Sequence, residues 1–405
     1  MQLAAKFNKL GPGLLFAATA IGVSHLVQST RAGAEYEYQL VWAIVLANLF
    51  KYPFFEFGTR YAAVKGKSII DGYLDIGKWF LWIFLLINIS TMFTVSAAVS
   101  FVAGGILQVI FPVITSIKIT TTLVFLVCLL VLWKGKFSIL EKGIKVMALI
   151  MFVTTIATFV LVLVQPDLPE IQKIQIPAQL PVIIALMGWM PTALDISSWS
   201  SLWTVEKMKD ESITVSDAKF DFNFGYLITA LLALVFLILG AKTLYPSSEV
   251  LADTAVGFAH QLLGIFTSTI GNWSFLIVAI AAFTIMFSTS LTVVDGYSRT
   301  VSHIVKLLGF LTFSEKSVYR FLLFLMVLIS LVIVHFFGSS LSFMVGLATT
   351  ISFVIAPIIA IANLYLVKNQ DFPKSEQPKT WLFVLSIGGF IFLTGFSVVY
   401  LFTFK

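Results

Sequence analysis

Roughly eleven apolar runs, nearly all long enough to cross a bilayer hydrocarbon core as a helix, limit what this chain can fold into. They lie near residues 14–30, 39–58, 79–110, 119–133, 143–164, 180–203, 222–241, 272–295, 318–336, 340–366 and 381–403. In lipid every backbone polar group must find its partner within the protein, so only helices or a closed barrel can span. Barrel strands read as short segments of alternating hydropathy, whereas these runs are long and unbroken, which selects an all-α polytopic membrane protein. Of the 405 residues 59% are hydrophobic and 11% charged, against about 25% charged in ordinary globular chains. The spans use roughly 220 to 250 residues. The connections are therefore short, residues 1–405 read as a single transmembrane domain, and no separate catalytic domain fits.

The net charge of +6 does not point to nucleic acid, because the basic residues are dispersed and form no long run. They report topology instead. With the N-terminus cytoplasmic, Lys65, Lys67, Lys134, Lys136, Lys207, Lys209, Lys306, Lys316, Lys368 and Lys374 all fall inside, and Arg31, Lys118, Lys173, Lys242 and Lys405 outside. This is the positive-inside pattern and places the C-terminus outside, in a plasma or inner membrane. Lys6, Lys9 and Ala18-Thr19-Ala20 imitate a secretory signal, but the apolar stretch continues past them, so it is kept as the first span. The one cysteine, Cys128, permits neither an internal disulfide nor a cysteine metal cluster. No cofactor is expected; the partners are lipid and a transported ion or small solute.

Enzyme signatures are missing. There is no His-Glu-x-x-His or Cys-x-x-Cys, and Gly66-Lys67-Ser68 lacks the upstream glycine of a phosphate loop. Charges inside apolar helices are costly, so each is a candidate for function and also for a structural ion pair. Helix two carries Lys51, Glu56 and Arg60 around Pro53. Glu56 and Arg60, four apart, share a helix face and can pair; Lys51 lies deeper. In helix six Pro191 either kinks the helix or frees carbonyls for a ligand. Asp195 just beyond it is a ligand candidate or a cap for the resuming helix. Helix eight shows Thr284, Ser288, Thr292 and Asp295 along one stripe, whose hydroxyls suit either a permeation path or interhelical hydrogen bonds. His25 is a candidate proton carrier or metal ligand, or a buried ring satisfied by a carbonyl.

Helices one and six, five apart, are each interrupted by small and polar residues, Gly22-Val23-Ser24-His25 and Met190-Pro191-Thr192-Ala193-Leu194-Asp195. Such a pair in corresponding halves points to a transporter site built from broken helices. Two five-helix inverted repeats, about 11–165 and 176–368, plus an extra helix near 381–403, fit this pattern.

The chain resembles the NRAMP family of proton-coupled divalent metal transporters, which have the leucine-transporter fold. Gly11-Pro12-Gly13, Ala32-Gly33-Ala34, Tyr38, Leu40, Trp42, Leu46-Ala47-Asn48-Leu49, Leu140-Glu141 and Met190-Pro191 carry the resemblance over most of the chain. Against the family's Asp-Pro-Gly-Asn in helix one, this chain has Gly22-Val23-Ser24-His25, and its Met-Pro-His in helix six reads Met190-Pro191-Thr192. The acidic residues of helix three are absent, with Asn88, Thr94 and Ser96 in that region.

The resemblance implies a secondary active transporter moving a divalent metal ion by alternating access, and a proton-coupled one. A sodium- or proton-coupled carrier of a small organic solute is the alternative, and a non-transporting membrane sensor a third. His25, Met190 and Asp195 are expected to line one central site, with Thr192 beside them and carbonyls of Gly22 and Met187 supplementing them. His25, Lys51, Glu56, Ser288, Thr292 and Asp295 are the coupling or gating candidates. His25-linked proton coupling, or uncoupled flux, is preferred to sodium.

Overall fold

The computed structural model describes residues 10–134, 137–164, 178–210, 213–245, 251–309 and 314–403, without the side chains of 134, 137–148, 210 and 403. Lys6, Lys9, Lys136, Lys173 and Lys405 lie outside these residues, as do the side chains of Lys134, Leu140 and Glu141. Regular structure among the described residues is helical throughout. The first run is interrupted: α1 (Pro12–Ala20) meets a π-helical turn (Ser24–Ser29) that continues into α2 (Thr30–Tyr36), with a bend of 42° between the two parts. Then follow α3 (Val41–Lys65), α4 (Ile69–Ile76), α5 (Lys78–Ile110), α6 (Ile117–Lys134) and α7 (Phe137–Val164). The sixth run is also split, into α8 (Leu180–Gly188) and α9 (Ile196–Asp210). The remainder are α10 (Val215–Thr243), α11 (Ala255–Ile270), α12 (Phe275–Leu308), α13 (Glu315–Phe337), α14 (Leu341–Lys368) and α15 (Thr380–Thr403). Among the described residues six helices are individually long and apolar enough to cross a membrane, and the bent pair of the first run makes a seventh.

Local chemistry sets several boundaries. Pro12 occupies the first turn of α1, where its missing N–H does no harm. Ser68 with Asp71 and Thr214 with Asp217 form capping boxes that start α4 and α10. The second box starts α10 seven residues ahead of the apolar run. Helix α12 likewise runs on past Asp295 to Leu308, because Asp295 pairs with Arg299 one turn later and the charges need not end the helix. Neither α4 nor α11 was expected from the apolar runs. Both are shorter than a span, and α11 buries only one face, through Phe258, Leu262 and Phe266.

The helices divide into two packed groups. The broken first helix lies along α10, which also packs on α3, while α9 packs on α3. In the second group α5 packs on α6, α12 and α13. Helix α14 joins the groups by touching α8, α3 and α5, and α11 lies on α5. Two glycine contacts hold the broken helix against α10. A β-carbon on Gly13 would stand 2.0 Å from the Asp221 carbonyl oxygen, and one on Gly33 1.9 Å from that of Leu237. The backbones approach there as only glycine allows. Asp221 also accepts hydrogen bonds from Gly11 N at 3.0 Å and Gly13 N at 2.8 Å, satisfying amides at the start of α1.

Candidate functional site

The two breaks face each other across a small cavity of about 20 Å³, bounded by Val23 and Ser24 of the first break, Thr192 and Ala193 of the second, and Thr289 and Tyr297 of α12. At the first break the ladder is not left open: the Gly22 carbonyl accepts from His25 N at 3.2 Å and Leu26 N at 3.0 Å. Gly22 packs so closely on Thr289 that a β-carbon would lie 2.7 Å from its hydroxyl oxygen.

The second break ends α8 at Gly188, and its carbonyls point at a cation that the protein itself supplies. Lys51, fully buried on α3, donates from Nζ to the carbonyl oxygens of Met187 at 2.7 Å, Gly188 at 2.8 Å and Thr192 at 3.3 Å. Carbonyls at a helix C-terminus carry the negative end of its dipole, so an ammonium is well placed there. Asp195 begins the resumption into α9, where its carboxylate meets the amide of Ile196 and accepts from the Tyr297 hydroxyl at 2.9 Å. It therefore caps α9, one of the two roles read from the sequence, and its carboxylate also meets α12. Tyr297 stands edge-on to Trp199, ring centres 4.9 Å apart.

The other site candidates disperse. Both ring nitrogens of His25 are engaged, Nε2 with the Thr229 carbonyl at 2.8 Å and Nδ1 with Ser24 Oγ at 2.7 Å. Since a carbonyl can only accept, Nε2 bears the proton and the ring faces α10. Met190 is buried with its sulfur 4.0 Å from Ser29 Oγ. Of the residues expected to share one cavity, Thr192 lines it, whereas Gly22, His25, Met187, Met190 and Asp195 do not. Among the described residues no three His, Cys, Asp or Glu side chains gather as a metal cluster.

The coupling candidates fall in separate places. Glu56 forms a two-pronged ion pair with Arg60, at 2.6 and 2.8 Å, buried between helices, and Arg60 also donates to the Glu376 carbonyl at 2.7 Å. Ser288 borders a 30 Å³ cavity with Ile21 and Phe236. Thr292 and Asp295 line a larger cavity of 860 Å³ that reaches Gly11 at the start of α1. Its polar wall is paired: Asp295 with Arg299 and the Tyr319 hydroxyl, His303 with Asp71 at 3.0 Å, and Lys306 with Glu315 at 2.8 Å. Burial raises the affinity of the Asp71 carboxyl for its proton, but hydrogen bonds from His303 and Ser68 outweigh this and hold it below the usual carboxylate range.

Toward the other end of the broken helix lies a 640 Å³ cavity between Gln28, Arg31 and Glu35 on one wall and Leu186, Leu341 and Val345 on another. Ahead of α11, Asp253 accepts from Ser340 Oγ at 2.5 Å and Ser342 N at 2.8 Å, and its carbonyl accepts from Leu341 N at 2.7 Å. Arg31 donates to the adjacent Ala252 carbonyl at 3.2 Å. Sequence reasoning missed Tyr297, Asp221 and Asp253. Each is one polar residue whose partner lies far along the chain, and nothing in its own neighbourhood announces that partner.

The Natural resistance-associated macrophage protein-like family model matches residues 13–403. "Uncharacterized protein PM0681" of Pasteurella multocida is 35% identical over 404 residues, covering 98% of this chain and 92% of that protein. The divalent metal cation transporter MntH of Lacticaseibacillus casei is 24% identical over 262 residues, 59% of this chain and 55% of that protein. Among solved structures, the Eremococcus coleocola manganese transporter in complex with an aromatic bis-isothiourea compound superposes with a TM-score of 0.70 at 15% identity, covering 96% of this chain and 85% of that one. MhsT in complex with L-phenylalanine gives 0.61 at 13% identity, covering 96% and 97%. The all-helical, leucine-transporter-type architecture expected from the sequence is the one observed. With the match running over almost its whole length, this integral membrane protein belongs to the natural resistance-associated macrophage protein-like family.

Proposed function

We propose that the protein carries a divalent metal ion across the membrane by alternating access around its two helix breaks. The observation that carries this reading is the small cavity between the breaks, with larger cavities lying toward either end of the first helix. Membership of the family supports it, as do the names of a relative, a divalent metal cation transporter, and of a structural neighbour, a manganese transporter. The loop of the second break carries Met190 and Asp195, neither of which lines the cavity in this structure, and a thioether and a carboxylate brought to it during alternation would suit a transition metal better than magnesium. In this reading residues 11–165 and 176–368 are inverted repeats, with 381–403 appended, and the breaks occupy matching positions in the two. Proton coupling, where it operates, is assigned to His25, the side chain beside the first break whose residue type ordinarily titrates near neutrality.

The cavity wall favours a second reading. Thr19, Ser24, Thr192, Thr289 and Tyr297 are its hydroxyl-bearing residues and the rest is largely apolar, with no carboxylate, which suits a small organic solute. Proteoliposome flux separates the two. Manganese uptake above that of empty vesicles is expected, falling about tenfold or more in Asp195→Ala, since a dication then lacks its carboxylate. In the same vesicles His25→Ala is expected to abolish metal-driven acidification. Metal-independent uptake of a zwitterionic solute, with no manganese flux, would establish the second reading instead.

The proposed orientation puts the N-terminus inside and the C-terminus outside. Since Cys128 is buried and free, an introduced cysteine reports its own location cleanly. Lys67→Cys is expected to react in intact cells only with a membrane-permeant maleimide. Labelling by an impermeant reagent would invert the topology.

A further inference from the structure

The Lys51 ammonium occupies a place that a free ion could take. Its neighbours are three backbone carbonyl oxygens at 2.7, 2.8 and 3.3 Å, all from one helix end and the loop that follows it. Carbonyl oxygens held by an interrupted helix are the donors with which proteins coordinate alkali ions within a bilayer. No water-exposed path serves the group, for Lys51 is 0% exposed. A buried ammonium with no counter-charge is expensive. The charged side chain acting on it is Asp195, which begins α9 on the far side of the same break and is not in direct ion-pair contact with it. The two charges balance across the break. A divalent ion at these carbonyls would leave one positive charge uncompensated in a medium of low dielectric, so the cage suits a single charge.

We propose that Lys51 is a tethered cation, holding with its ammonium a carbonyl site that would otherwise take an alkali metal ion from solution. Its four-carbon stem on α3 keeps that charge in place whatever the ionic composition on either side of the membrane. The helix break is thereby completed without a co-transported ion at this position, whichever cargo the protein carries. A second consequence is selectivity. Metal cargo cannot use the Met187, Gly188 and Thr192 carbonyls while the ammonium sits on them.

The test needs no transport assay, so its failure is distinct from failure of the metal reading. Purified full-length protein is melted in lithium, sodium, potassium and choline chloride at equal ionic strength. The wild type is expected to melt at the same temperature in all four. Lys51→Ala is expected to melt below wild type in choline and to rise by about 3 °C or more in at least one alkali salt, as a site binding an ion only in the folded state requires. Lys51→Gln separates charge from hydrogen bonding, since its amide can donate to the carbonyls but is neutral. It is expected to be destabilised in choline as well. The proposal is overturned if Lys51→Ala is indifferent to the salt, if it cannot be obtained folded in any alkali salt, or if Lys51→Gln in choline matches the wild type.

Discussion

Glu56→Ala is expected to destabilise the protein by about 3–5 kcal/mol, because it strands the Arg60 guanidinium inside the helix bundle. Two of the three hydrogen-bonding contacts of that guanidinium are to Glu56, and the third, to the Glu376 carbonyl, carries no countercharge. Thermal melting in detergent measures the loss. The double variant Glu56→Leu with Arg60→Met removes both charges and is expected to recover most of it, since a buried pair contributes little net stability over well-packed apolar side chains. If the single variant were as stable as wild type, the pair would have to be solvated in a way its burial contradicts. A full recovery of transport in the double variant would also strike Glu56 from the coupling candidates.

Gly33→Ala is expected to lower stability by about 3 kcal/mol, near the upper end of what overpacking costs. The added carbon would meet the Leu237 carbonyl oxygen at 1.9 Å, and the obstacle is the backbone of a helix, which cannot rotate aside as a side chain can. Helix α2 would have to move off α10, losing the contacts that seat the broken helix. Gly395→Ala in α15 is the control: nothing lies within 4 Å of the position, so a gain of about 0.5–1 kcal/mol is expected from the better helix former. Equal effects at the two positions would mean that the close approach does not carry the packing.

Much of this architecture could be read directly. Long apolar runs gave the spans, and the clusters Gly22 to His25 and Met190 to Asp195 marked both interruptions, because small and polar residues are costly inside an otherwise apolar helix. The pairing of Glu56 with Arg60 was legible for a related reason, their spacing of one helical turn. Lys51 was noticed as a deep charge, but its partners were out of reach: they are backbone carbonyls, which every residue possesses and no sequence pattern distinguishes. His25 found its acceptor in Thr229, a carbonyl 204 positions away. The grouping of His25, Met190 and Asp195 assumed that residues near a break point into it, whereas the side-chain directions depend on how each half-helix is rotated. Helices α4 and α11 escaped because they are short and half-apolar, so neither produces the continuous run by which a span is recognised.

The wall-to-wall distance of the 640 Å³ cavity is fixed from outside it. Arg31 belongs to one wall and Leu341 to another, and both are fastened to the Ala252-Asp253 dipeptide, neither residue of which faces the cavity. Asp253 also gathers Ser340 and Ser342, and these bonds hold its carboxyl below the usual carboxylate range even though burial acts the other way. The dipeptide thus works as a clasp, closing a purse from its rim with bonds that are short, few and near the surface. For α2 to swing away from α14, the clasp must either open or travel with one of them. The freedom of this rim is therefore set by the chain that leads into α11, a helix too short to span the membrane.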